Sequence, residues 1–163
     1  MSSKTTILED ACKYVAANKD IVIGHDYFIK FFQANEGSAT ADKLGLAIIA
    51  ANITRVAAKN IDEHIAALQA SEKEMSIRGY LDYCAHTYLK NVSNLDNAMK
   101  DTALGPTQDL WTANVYLWSV IISTDTCESV LADKNLTSLL LAENSEFTKK
   151  AYIALFVNPS KWN

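Results

Sequence analysis

The stretch "GHDYF" sets an imidazole beside a carboxylate, His25 and Asp26, after a glycine and next to the aromatic side chains Tyr27, Phe28, Phe31 and Phe32. An adjacent base and acid near an apolar pocket can exchange protons with a small aromatic or heterocyclic substrate. The simpler reading makes Asp26 a helix N-cap and the aromatic rings a local core. His64 in "DEHIAAL" and His86 in "CAHTY" fall inside helical patterns, where a solvated or hydrogen-bonded imidazole is commoner than a metal ligand. The sequence contains no glycine-rich phosphate loop, G-x-S-x-G, H-E-x-x-H or C-x-x-C motif, so it implies neither a metal nor a cofactor.

The remaining reactive residues are three cysteines, Cys12, Cys84 and Cys127, and their reading depends on the elements that carry them. The chain has 163 residues, 49% hydrophobic and 21% charged, which is ordinary for one globular domain able to bury a core. Five glycines and two prolines are too few for the turns of an all-β sandwich. A net charge of −4 offers no basic field for nucleic acid. No stretch reads as the roughly 18 to 20 apolar residues of a membrane span. The opening "MSSKTTILEDACKYV" lacks the features of a signal peptide, which suggests a protein made without one or a mature chain with a starting Met.

Helical periodicity runs through most of the sequence. A helix is expected from about Thr5 to Asn18, with Ile7, Leu8, Ala11, Cys12 and Val15 on one face, followed by a short aromatic helix that ends before Gly37. From Thr40 to about Ala70 the stripe reads Leu46, Ile49, Ile53, Val56, Asn60, His64 and Leu68, with Ser38, Thr40 or Asp42 as N-cap. From Ser71 to about Ala103 a near-heptad seam reads Ile77, Leu81, Cys84, Tyr88, Val92, Leu95 and Met99. Gly105 and Pro106 end that helix. The next, Thr107 to about Ala132, turns Leu110, Ala113, Leu117, Val120, Thr124, Cys127 and Leu131 inward. A last helix, from about Asn135 to Val157, carries Leu139, Phe147, Ala151, Ala154 and Leu155. Four such helices on short links predict an all-α, up-and-down antiparallel four-helix bundle over residues 38–163, with residues 1–37 as an N-terminal helical hairpin of the same domain.

Cys84 and Cys127 lie on the inner seams of consecutive helices, at equal distances along the chain from the Gly105–Pro106 turn. With a constant rise per residue they reach the same height and can form a disulfide if their Cβ geometry allows. The alternative is two buried free thiols. A bridge closing a loop of about 40 residues stabilises by about 3 to 4 kcal/mol in the chain-entropy account, and it implies an oxidising compartment. Asn52, Asn91 and Asn135 each open an N-x-Ser/Thr sequon, a weak sign of the same route. Trp111 and Trp118 lie seven apart on the penultimate helix. Both suit interface anchors, and Trp118, beside Leu117, is placed in the core.

The segments "GYLDYCAHTYLKNVSNLDNAMKD" and "ANVYLWSVIISTDTCESVL" resemble the two arms of a helical hairpin in the plant invertase and pectin methylesterase inhibitor family, and "SATADKLGLAIIAANIT" resembles the start of its second bundle helix. The resemblance runs from Cys12 to about Phe156. It implies an N-terminal hairpin on a four-helix bundle, entry into the secretory pathway with a destination in the cell wall or vacuole, and a bundle disulfide at Cys84 and Cys127. A second family disulfide closes the hairpin from the position of Cys12, and Phe28 stands where its partner cysteine would be, which leaves Cys12 a free thiol. Members bind an acid invertase or a pectin methylesterase and occlude the active site without chemistry of their own, and some relatives are pollen allergens. The Pro-Lys-Phe loop of the invertase inhibitors is replaced here by Leu110, Trp111 and Thr112, the candidate partner contacts.

The resulting expectation is an enzyme inhibitor rather than an enzyme, with a carbohydrate-active enzyme as partner, no cofactor and no metal. The competing expectation is a diverged member that holds or transforms a small molecule between hairpin and bundle, with His25 and Asp26 as its acid–base pair.

Overall fold

A computed structural model describes residues 6–162; the expected helix start at Thr5 lies outside them. The described chain is all-α. Its helices are α1 (Ile7–Ala16), α2 (His25–Gln33), α3 (Lys43–Ser71), α4 (Met75–Leu104), α5 (Thr107–Asp133) and α6 (Leu141–Phe156), with short 3-10 turns before α3 and α6. α3 packs on α4, α4 on α5, α5 on α6 and α6 back on α3, the closed ring of an up-and-down four-helix bundle.

Local chemistry sets the ends of these elements. Thr6 and Glu9 form a reciprocal capping box at the start of α1. Asp42, among the three candidates, caps α3 by accepting the Gly45 N–H at 2.7 Å. Gly105 takes the positive φ of 88° that ends α4. Asn135, the expected first residue of the last helix, instead adopts φ 58° in a turn, and α6 begins only at Leu141. Gly24, not Asp26, is the N-cap of α2, and it has no side chain to offer.

All seven inward positions expected on α5 are buried. On α3 the stripe is rotated from the expected one. Ala50, Ala51, Thr54, Ala58, Ile61 and Ile65 are buried, whereas Val56, Asn60 and His64 are exposed. Small alanines let α4 and α6 approach closely, so they take the inner face and leave Ile49 and Ile53 half-buried on its flanks. By length and composition alone α3 is apolar enough to cross a membrane, contrary to the sequence reading. Its inner face is used by the bundle, and the buried Thr54 hydroxyl donates to the Ala50 carbonyl at 2.8 Å.

The seam of α4 is a strict heptad of Leu81, Cys84, Tyr88, Asn91, Leu95, Ala98 and Thr102, so that Asn91 and Ala98 replace the expected Val92 and Met99. Several polar groups enter this core with donors bonded across helices, while the Asn91 and Asn114 side-chain oxygens are buried with no partner among the described residues. Asn91 Nδ2 donates to Thr124 Oγ1 at 3.1 Å, and Asn158 Nδ2 to Thr102 Oγ1 at 3.3 Å. The Tyr88 hydroxyl donates to Asn144 Oδ1, and Asn144 Nδ2 donates to Glu128 Oε2, which joins α4, α5 and α6 in one layer. Cys84 and Cys127 are disulfide-bonded within it, their Cα atoms 5.2 Å apart.

Burial, then the charges of Glu128 and Glu143, push the Tyr88 phenol well above its ordinary range. The unfolded chain therefore loses this proton first. The stability it contributes is complete below the unfolded phenol's pKa of about 10 and drains away as pH rises from there toward the folded value. Thermal unfolding as a function of pH should show a melting temperature that falls above about pH 10. In Tyr88→Phe, which leaves Asn144 Oδ1 without its donor, the chain should be less stable by about 1–3 kcal/mol at neutral pH and the alkaline fall shallower.

Candidate functional site

α5 has no charged residue from Leu110 to Thr124. A helix so apolar all round can bury only one side in its bundle. The other side leaves Trp111 55%, Val115 64%, Trp118 38% and Ile122 60% exposed. At spacings of four, three and four these four side chains fall within one narrow sector and run for about 16 Å along the axis. Gln108, Thr112, Ser119 and Thr126 flank them, and the hydroxyls of Thr112, Ser119 and Thr126 donate back to carbonyls one turn earlier. The face is thus mainly apolar and these three hydroxyl donors are already bonded, which lowers the desolvation cost of covering them.

Neighbouring groups orient the stripe and charge its rim. The Trp118 ring meets Tyr152 edge-on at 6.2 Å, Tyr152 stacks on Phe156 at 5.7 Å, and the Lys161 ammonium lies 5.6 Å from the Trp118 centroid. Trp118 is therefore a held, half-exposed ring and not the core residue expected from sequence. Burial, then Asp125 and Asp20, raise the Tyr152 phenol above its ordinary value. Beyond Ile122 a groove of about 350 Å³ runs between α5 and α4, lined by Tyr83, His86, Thr87 and Lys90 on the α4 side. His86 Nδ1 lies 2.9 Å from the Asp82 carbonyl oxygen at its edge.

The expected contact triplet divides along this face. Trp111 and Thr112 are exposed, while Leu110 points inward and is buried. Val115 and Ile122 escaped the sequence reading because each looks like core by type. The uncharged run Leu110–Thr124, longer than one buried stripe needs, was the available signal.

For the acid–base reading of His25 and Asp26 the geometry supplies a solvent-facing pair and not a pocket. The pair is 3.4 Å apart at the start of α2, but both side chains are exposed, and Phe28, Phe31 and Phe32 beside them are buried in the core. A groove of about 330 Å³ does lie between the α1–α2 link and the bundle, where Ile21 and Val22 face Asp125, Glu128, Asn144 and Lys149; neither His25 nor Asp26 lines it. His64 is exposed on α3 and pairs with Glu143 at 2.8 Å. Among the described residues no three His, Cys, Asp or Glu side chains gather as metal ligands would.

The hairpin stands on aromatic packing. Phe28 and Phe32 lie 5.0 Å apart, Phe31 and Phe32 4.8 Å, and Cys12 is a buried free thiol in the same core. Tyr27 fixes α2 to α6. Its hydroxyl donates to Glu146 Oε2 at 3.1 Å and accepts from Lys150 Nζ at 3.3 Å, with the Lys149 ammonium 5.2 Å from its ring. Of the sequon residues, Asn52 and Asn135 are exposed. Asn91 is fully buried and its amide nitrogen is bonded to Thr124, so this fold cannot present it for glycosylation.

A closed four-helix ring with a helical hairpin against it, and one uncharged helix face left exposed, defines an all-α bundle. Comparison with known proteins specifies the group. The family model described as "Plant invertase/pectin methylesterase inhibitor" matches residues 6–157, and the chain belongs to that family. A protein from Platanus acerifolia named "Putative invertase inhibitor" is 27% identical over 152 residues, 93% of this chain and 83% of that one. A protein of the same name from Platanus orientalis is 26% identical over 152 residues, covering 93% and 87%. Among solved structures, a pectin methylesterase inhibitor from Arabidopsis thaliana superposes with a TM-score of 0.66 at 16% identity, over 95% of this chain and 97% of that one. A mutant form A of an Arabidopsis pectin methylesterase inhibitor reaches 0.74 at 17% identity over the same shares. At these identities the solved structures show a shared fold.

Burial raises the Cys12 thiol above its ordinary pKa. A thiol-specific reagent should therefore find one thiol per chain after denaturation without reductant. In the native protein at pH 8 it should react far more slowly than a free cysteine, the rate still climbing with pH beyond the ordinary thiol range of about 8.5. Three thiols in the denatured chain would contradict the Cys84–Cys127 bond.

Proposed function

We propose that this chain inhibits a plant carbohydrate-active enzyme, an acid invertase or a pectin methylesterase, by seating the outward face of α5 over the enzyme and closing its active-site cleft. The observation that carries this reading is the exposed, uncharged stripe Trp111–Val115–Trp118–Ile122. Isolated surface apolar residues are common, but four in one sector, two of them tryptophans, have the composition of an interface centre. The ring ladder behind Trp118 supports it further, since a side chain fixed before contact loses little freedom on binding. Trp111 and Thr112 occupy the positions matching the Pro-Lys-Phe loop of invertase inhibitors, so any invertase would be met by an aromatic wedge in place of a basic loop.

The same reading includes passage through an oxidising secretory route, toward the cell wall or vacuole. The buried Cys84–Cys127 bond needs such a compartment. Asn52, on an exposed part of α3, and Asn135, in an exposed turn, are the sequons open to glycosylation. The hairpin, residues 1–37, and the bundle, residues 38–163, act as one inhibitor domain.

Titration against a purified acid invertase and a purified pectin methylesterase tests the proposal. One of the two should be inhibited at sub-micromolar chain, and Trp111→Ala or Val115→Asp should weaken that inhibition by about 30-fold or more with unchanged circular dichroism. Failure to inhibit either enzyme at micromolar chain would remove the proposal. Full inhibition by both variants would remove α5 from it.

A further inference from the structure

Along the exposed face of α5, Trp111, Val115, Trp118 and Ile122 follow one another at spacings of four, three and four, a series that is the same in both directions. A second copy of α5 laid antiparallel on the first therefore finds matching rows. Trp111 comes level with Ile122 of the second copy, and Val115 with its Trp118. Each pairing sets a tryptophan against a smaller branched side chain, so that the two surfaces can interdigitate. A parallel pairing would instead oppose ring to ring at both tryptophans. The ends of the stripe differ in the same sense. Trp111 is 55% exposed, and among the described residues it stacks on no other ring and has no ammonium over its face. At the other end, beside Ile122, lies the groove of about 350 Å³ lined by Tyr83, Thr87 and Lys90 of α4. Antiparallel order brings the free indole of each copy to the groove end of the other.

Charge favours the same arrangement. Two chains of net charge −4 repel, yet from Leu110 to Thr124 neither α5 presents a charge to the other. The acids that bound this run, Asp109 and Asp125, fall level with Thr124 and Gln108 of the second copy, so acid does not meet acid. We propose that this chain forms a twofold, antiparallel dimer through the outward face of α5, with Trp111 of each copy seated beside Ile122 and Tyr83 of the other. Lys90, which has no ion-pair partner among the described residues, then borders the incoming ring. The patch is short, so the dimer is weak and depends on concentration. It covers the same surface as the proposed enzyme contact, so a second copy and the enzyme exclude each other and the monomer is the inhibitory species. That last consequence rests on the enzyme-binding reading, whereas the dimer itself does not.

Sedimentation equilibrium of the full chain, with no enzyme present, is the test. Self-association should follow a monomer–dimer isotherm with a dissociation constant below about 100 μM, and it should not weaken as salt rises, because no charge pair holds it. Val115→Asp, which sets a carboxylate against Trp118 of the other copy, and Trp111→Ala should each weaken the dimer about tenfold or more. Val56→Asp, at an exposed position on α3, should leave it unchanged. Under mild oxidation, a chain carrying Trp111→Cys and a chain carrying Ile122→Cys should cross-link to each other faster than either does to itself. A chain still monomeric at the upper concentration, or equal association in both α5 variants, would overturn the dimer, and preferred cross-linking of each cysteine chain with itself would overturn its antiparallel order. Circular dichroism of each variant separates a lost contact from a lost fold. A monomeric chain that inhibits would remove this inference alone; a dimer that inhibits neither enzyme would support it and remove only the enzyme reading.

Discussion

The bond between Cys84 and Cys127 fixes the register on which the rest of the bundle depends. Two antiparallel helices of this length can slide by a turn at modest cost if their seams are only apolar. A covalent link at matched height removes that freedom. With α4 and α5 in register, Tyr88 comes opposite Asn144, Asn144 opposite Glu128, and Asn91 opposite Thr124, so that a layer of polar side chains can be buried with its donors satisfied. A shift of one turn would leave those groups unpaired in a medium where each orphan costs about 1–3 kcal/mol. The covalent and the polar terms thus select the same alignment, and that alignment decides which sector of α5 faces outward.

The hairpin follows a different logic. Where the family resemblance places a second disulfide, this chain has Cys12 and Phe28. Phe28, Phe31 and Phe32 fill the junction between α1 and α2, while Tyr27 and Tyr14 anchor the two helices to α6 and to the C-terminal tail. These contacts are reversible, and the hairpin's position therefore rests on packing and hydrogen bonds with the bundle as much as on its own core. Burial raises the Tyr27 phenol above its ordinary range, with the Glu146 charge and hydrogen bond adding to the effect, so this contact keeps its proton further into the alkaline range than an ordinary phenol would.

The sequence shows the helix count and the pairing of α4 with α5 plainly, because a Gly-Pro turn and two cysteines at equal distances from it leave little choice. It shows the inner face of α5 completely, since apolar, well-spaced residues there match the geometry. It misleads on α3 and α4 for a common reason: a hydropathy stripe selects large apolar residues, whereas the core selects what fits and finds partners. Ala50, Ala51 and Ala58 win on α3 by size, and Asn91 and Thr102 win on α4 because Thr124 and Asn158 are there to bond them. The same bias hides the candidate site. Val115, Trp118 and Ile122 look like core by type, and only the limited width of a bundle seam forces them outward. His25 and Asp26 show the other direction, chemically suggestive in sequence and exposed to solvent in the fold.

The account therefore turns on one surface. α5 is held in register by its disulfide, backed by a ladder of rings beneath Trp118, and left without charge on its outer side over four turns. Hydroxyl-radical footprinting of the chain, free and in complex with the enzyme it inhibits, reads this surface at the level of side chains. The account predicts that Trp111 and Trp118 lose most of their oxidation in the complex while exposed residues of the hairpin, such as Val22, keep theirs. Complete inhibition with both tryptophans oxidised as fast as in the free chain would contradict it.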